Sequence, residues 1–171
     1  MKIWNNIPIK ESKEKLITIP NYFKFINPHP YFSLGAPYRD KETIWKLREE
    51  VVLRLIKAND FLKSKNSSYS LILYDSWRPI EVQEFMFKIA FNLECKKLNI
   101  EVSKNKMNSY PLIIKKVEKF WAFPSFDEKC PPPHSTGGAL DISLSDKDGK
   151  LLEMGSHIDQ MDETSKPEFY K

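Results

Sequence analysis

The sequence holds little cysteine and little glycine, no long apolar run and no large excess of one charge, and each shortage excludes a class of protein. Two cysteines, Cys95 and Cys130, form no C-x-x-C pair, so neither a disulfide framework nor a cysteine-spaced metal knuckle is expected, and a reducing compartment suits them. Five glycines beside twelve prolines fit neither a repeat fibre nor a flexible linker protein. No stretch approaches the roughly 18 apolar residues of a membrane span. The first residues, MKIWNNIPIKESKEKL, turn polar where a secretory leader would be apolar, so the expected address is the cytoplasm. The net charge of +4 comes from 27 basic residues set against 23 acidic ones. They are interleaved, as in LREEVVLRLIK, which makes a solvated surface and not the clustered patch of a nucleic-acid groove.

What is present is a chain of 171 residues, 41% apolar and 13% aromatic, the size and composition of one globular domain spanning residues 1–171. Residues 1–40 are rich in proline, aromatics and asparagine. Pro28, Pro30 and Pro37 mark them as loop that packs over the domain. From Lys41 to Lys63, Ile44, Leu47, Val51, Leu55 and Leu62 fall at helical spacing, and Asp40 is the expected N-cap. SSYSLILYDSW reads as a buried strand. Pro79 opens a second helix reaching Lys97, with Val82, Phe85, Met86, Ile89, Ala90 and Leu93 on one face. A short helix is expected over residues 113–121, then a loop through FPSFDEKCPPP. GGALDISLSD alternates as a strand, and DKDG turns the chain into a second strand, KLLEM, to close a hairpin. These elements define an α+β fold, with helices packed on a small, mostly antiparallel sheet.

Three stretches could carry chemistry. In PPPHSTGGALDISL, His134 sits on a loop, the glycines allow a sharp turn, and Asp141 follows on a strand. An imidazole and a carboxylate brought together in this way could each approach a zinc ion to about 2.0–2.2 Å. Taken alone, the same residues fit a surface histidine and a strand-edge aspartate better than they fit a metal pair. In YDSWRP, Arg78 emerges at a strand-to-helix junction, where functional side chains are often presented. Its forked donors suit a carboxylate or an oxyanion, and a salt bridge with Asp75 or Glu81 is compatible with either role. In LLEMGSHIDQMDE, Asp159 follows a glycine turn and could hold an ammonium group, although read alone such a residue is more often a turn aspartate.

Taken together, His134, Gly137, Ala139 and Asp141 form H-x-x-G-x-A-x-D, preceded by D-x-x-R-P and followed by M-G-S-x-x-D. That order resembles the D-Ala-D-Ala dipeptidases, including the type found in vancomycin-resistance clusters, and their relatives among zinc D,D-carboxypeptidases. PHPYFSLGAPY is similar to the N-terminal region of those dipeptidases, and the resemblance runs from about Asn21 to Tyr170. It implies one zinc ion per chain held by His134 and Asp141, with Arg78 stabilising the tetrahedral intermediate and Asp159 binding the substrate's free amino group. The implied partner is a small dipeptide, D-Ala-D-Ala, with no nucleic acid and no membrane. Where many members carry a serine two residues before the zinc histidine, this chain has Pro132.

The resemblance also implies a C-terminal E-x-x-H element giving a third zinc ligand and the general base. No Glu-x-x-His occurs in the sequence, so weak zinc binding and low activity are expected of this chain. His157, Cys130 and His29 are the remaining candidate donors; His157 is the best placed, and His29, between prolines, reads as structural or rim. Glu153, Glu163 and Glu168 are candidate bases with nothing to choose between them. Three functions therefore stand: hydrolysis of D-alanyl-D-alanine in cell-wall metabolism, a D,D-carboxypeptidase, or a catalytically inactive homologue that binds wall peptides.

Overall fold

The computed structural model describes residues 7, 9–39, 43–101 and 107–171. The fold is α+β, as expected, with helices packed against two small sheets. Strands β1 (Leu16–Thr18) and β3 (Lys46–Arg48) pair antiparallel. Strands β2 (Lys24–Phe25), β4 (Ser70–Asp75) and β5 (Asp141–Ser145) form the other sheet in the order β2-β4-β5, its first pair parallel and its second antiparallel. The helices are α1 (Pro30–Ser33), α2 (Glu49–Lys65), α3 (Ile80–Lys97) and α4 (Pro111–Val117). No helix is long and apolar enough to cross a membrane among the described residues.

β4 divides the interior. Leu71 and Leu73 join Ile19, Phe23, Leu47, Val52 and Leu55 in a cluster under α2. Tyr74 packs instead on the larger cluster built by Tyr31, Tyr38, α3 and α4. Full burial of each such aliphatic side chain stabilises the fold by about 1.5–3 kcal/mol. α2 carries Glu49 and Glu50 in its first turn and Lys63 and Lys65 in its last, the signs its backbone dipole favours. Glu94, 1% exposed, accepts a hydrogen bond from Lys97 at 2.6 Å and ties α3 to α4 by an ion pair with Lys116 at 2.5 Å. Burial opposes its charge, but the two ammonium groups hold its pKa below the usual carboxylate range.

Several expectations need correction. The helix placed at Lys41–Lys63 begins only at Glu49. Leu47, wholly buried, belongs to β3, because pairing with β1 satisfies the backbone there and overrides a spacing that both structures share. The proposed N-cap, Asp40, lies outside the described residues. Residues 1–40 are less irregular than expected: they supply β1, β2 and α1, and Pro30 sits in the first turn of α1, where its missing N–H costs nothing. The buried face of α3 is rotated towards Gln83, Phe87 and Phe91, leaving Leu93 52% exposed. The helix expected at residues 113–121 is α4, which starts at Pro111 and ends at Val117. Ala139 and Leu140 precede β5, and KLLEM contributes a single bridge, Ser145 with Leu151, in place of a strand.

Candidate active site

One irregularity in the sheet brings the site together. Leu73 pairs with Ile142, but the next pairing is Asp75 with Asp141, so Tyr74 is an extra residue in β4. Such a bulge breaks the up-and-down alternation of side chains and re-aims them. Tyr74 packs with the Tyr31 and Tyr38 cluster, and Asp75 accepts a hydrogen bond from Tyr38, so two consecutive residues serve the same side of the sheet. Without the bulge, Tyr74 would face Asp141 across the strands and Asp75 would point away.

Asp75 is fully buried and is the hub. Its Oδ1 accepts from His29 Nε2 at 3.1 Å and from Tyr38 OH at 3.2 Å. Its Oδ2 accepts from Arg78 Nε at 3.0 Å and Nη2 at 2.6 Å. Burial alone would raise its pKa, but the His29 hydrogen bond and the charge of Arg78 outweigh that and hold the carboxyl below its ordinary value. His29 also caps α1, its Nδ1 accepting from the Phe32 N–H at 3.3 Å. That capping bond fixes the ring proton on Nε2, the nitrogen that faces Asp75.

His134 is held by the opposite tautomer. Its Nδ1 lies 2.8 Å from the Ser76 carbonyl oxygen, which accepts the proton and leaves Nε2 with a lone pair. Nε2 stands 3.6 Å from Asp141 Oδ1, close to the roughly 3.4 Å between two ligands at 2.1 Å on a tetrahedral zinc. A ligating histidine whose other nitrogen donates to a carbonyl is the usual supporting arrangement for a metal. The backbone reinforces it: the Arg78 N–H donates to the His134 carbonyl at 3.3 Å and the Trp77 indole to Ser135 O at 3.2 Å. Gly137, at φ +74°, closes the short 3-10 turn that carries His134 and accepts from the Arg48 N–H at 2.9 Å.

Asp75, His134 and Asp141 are the one group among the described residues whose donor atoms lie within 4.8 Å of one another. Asp75 is a poor third ligand nonetheless. Both its oxygens are engaged, and its Oδ2 stands 3.4 Å from Nδ1 of His134, on the nitrogen that faces away from Asp141. It braces the site from behind. His157, the best-placed candidate for a further ligand by sequence, is exposed and outside this group, and the half-buried Cys130 lies outside it too.

Arg78 is 3% exposed, with its guanidinium over the rings of Tyr31 and Trp121 at 4.9 and 5.3 Å. Nη1 donates to Gln83 Oε1 at 2.7 Å. Nη2, besides Asp75, reaches Tyr31 OH at 3.4 Å and lies 3.5 Å from Asp141 Oδ2. Burial would lower the arginine's pKa, and Asp75 and its neighbours raise it further than burial lowers it, so the cation is permanent. Tyr31 OH donates to Asp159 Oδ2 at 2.7 Å. Asp159 is exposed as a residue and adopts φ +64°, a conformation that aspartate tolerates better than most. Crowding by surrounding protein raises its carboxyl pKa, helped by the charge of Asp141, with the Tyr31 hydrogen bond opposing.

All four residues singled out in the sequence thus surround one place: His134 faces Asp141, Arg78 adjoins Asp141, and Asp159 joins Arg78 through Tyr31. Of the two salt-bridge partners expected for Arg78, Asp75 and Glu81, the structure pairs it with Asp75; the supporting residues Tyr31, Tyr38 and Gln83 were not legible as such.

The α+β scaffold thus brings a carboxylate-facing histidine on a loop and a buried arginine at a strand end to one place. Residues 37–171 match the D-ala-D-ala dipeptidase family, and the chain belongs to that peptidase family. A D-alanyl-D-alanine dipeptidase of Synechocystis sp. is 35% identical over 179 aligned residues, covering 100% of this chain and 69% of the relative.

Proposed function

We propose that the protein is a zinc-dependent dipeptidase for D-alanyl-D-alanine, with residues 1–171 acting as one domain. His134 and Asp141 hold the metal, Arg78 stabilises the oxyanion and Asp159 binds the substrate's ammonium. The observation that carries this reading is Nε2 of His134 facing Asp141 Oδ1 at 3.6 Å while Nδ1 is turned to the Ser76 carbonyl. Zinc bound there would polarise the scissile carbonyl and lower the pKa of an attacking water. The chain's own residues would do the rest. Arg78 is clamped by Asp75, Gln83 and two aromatic faces, so its Nη2 edge is already oriented for charge that develops beside Asp141 and pays no reorganisation cost. Asp159, tethered by Tyr31, offers a carboxylate at a fixed place for the ammonium end of a dipeptide.

A second reading is a homologue that binds wall peptides without cleaving them. It is favoured by the donor count: with Asp75 committed to Arg78, His29 and Tyr38, two protein ligands remain among the described residues, where a catalytic zinc normally has three. The 171-residue chain should therefore hold less than one equivalent of zinc through gel filtration and release D-alanine slowly. Metal analysis and calorimetry on the wild type, His134→Ala and Asp141→Ala separate the cases. Each variant should lose zinc at least tenfold more readily. Zinc affinity equal to wild type in either would end the metal assignment; dipeptide binding with zinc but no D-alanine release would favour the binding protein.

A further inference from the structure

Tyr74 is a polar residue in the site to which no role has been given. Neighbouring polar groups are spoken for: Tyr31 OH by Asp159, Tyr38 OH by Asp75, Arg78 by Asp75 and Gln83. The Tyr74 hydroxyl has no hydrogen-bond partner in the described protein, although the ring is half-buried. Its position is fixed from two directions. The bulge sets Tyr74 beside the Asp75–Asp141 pairing, and its ring meets that of Tyr31 edge-on with centroids 6.1 Å apart. Tyr31 in turn holds Asp159. The phenol therefore neighbours the strand pairing that carries Asp141 on one side and the Tyr31 ring that holds Asp159 on the other.

Resting on the reading above, we propose that Tyr74 is a specificity-determining residue, its phenol forming the wall against which the side chain of the dipeptide's amino-terminal residue packs. A dipeptide stretched from Asp159 to the reacting carbonyl has one substituent along that path: the side chain on its first α-carbon. A ring fixed there leaves room for a methyl group and excludes a branched chain. Burial, with the charges of Asp159 and Asp141, pushes the phenol's pKa up to about 12, so it meets the substrate as a neutral group and does not repel the nearby carboxylates. The bulge makes this placement possible, since a regular strand could not direct both Tyr74 and Asp75 to this side.

The test compares phosphinate analogues of D-Ala-D-Ala and D-Leu-D-Ala binding to zinc-supplemented protein by calorimetry. Tyr74→Leu keeps apolar packing on Tyr31 but removes the outer half of the ring. It should lower the preference for the alanine analogue at least tenfold, while Tyr74→Phe keeps the preference within about threefold, consistent with the 10–200-fold range of pocket discrimination by size. Thermal melts establish that each variant is folded, and Tyr74→Met replaces the leucine variant if that one is not. An unchanged preference in the folded shortened variant overturns the proposal. Absence of any analogue binding by wild type would instead overturn the dipeptidase reading on which it rests.

Discussion

Asp75→Asn keeps the shape of the side chain at the centre of the site but removes its charge and turns one of its two accepting oxygens into a donor set against the donors it served. Asp75 is fully buried and Arg78 is 3% exposed, joined by bonds of 2.6 and 3.0 Å. The asparagine leaves that buried arginine only the more distant Asp141 carboxylate, 3.5 Å from Nη2, a loss of about 3–5 kcal/mol. A protein of this length loses about 2–4 °C of melting temperature per kcal/mol, so the midpoint at pH 7 should fall by about 6–20 °C. The pH dependence has a definite sign. Asp75's folded pKa is depressed, so its stabilisation is complete above the unfolded value of about 3.9 and is lost as pH falls through the lower folded one. The gap between wild type and variant should hold from neutrality to about pH 4 and close below that. Removing both charges, as Asp75→Asn with Arg78→Met, should recover much of the loss, since no unpaired ion remains. Differential scanning calorimetry measures all three. A fall under about 1 kcal/mol, the range of a surface pair, would refute the claim that the pair is a buried, mutually dependent unit.

Gly137→Ala should cost about 1–2 kcal/mol from its positive φ, and more because the new Cβ would approach Leu16 Cδ2 to 2.3 Å. Gly35, at φ +84° with nothing near its hypothetical Cβ, is the control; equal losses of melting temperature at the two sites would deny the close packing of the His134 loop on β1. Asp159→Asn should lower the affinity for D-Ala-D-Ala about ten- to a hundredfold, the worth of a hydrogen bond between charged groups. Because the folded pKa of Asp159 is raised, wild type loses stability as pH rises through that value and the asparagine variant does not. A variant less stable than wild type at pH 7 in a thermal melt would contradict this.

The sequence was legible where a single residue type does a local job. Pro79 starts α3, the apolar run of β4 ends at Asp75, and the order of His134, Asp141, Arg78 and Asp159 along the chain pointed to one site. It was less legible where burial depends on a distant partner. Ile44 and Leu47 sit at a spacing shared by a helix and by the approach to a strand, and only pairing with β1 decides between them. KLLEM has a strand's composition, yet it makes a single bridge. His29 reads as structural from its prolines, and it is buried; that it braces Asp75 depends on the fold of α1.

The sequence by itself determined the family and the α+β class, and it nominated His134, Asp141, Arg78 and Asp159 for the chemistry, because those readings follow from residue identity and order. The tertiary structure decided how they work together. One extra residue in β4 turns Asp75 towards Asp141, and capping and carbonyl contacts select opposite tautomers for His29 and His134. Burial then makes Arg78 and Asp75 depend on each other. Each of these outcomes is set by which groups meet across tens of residues, and no local pattern in the chain records that.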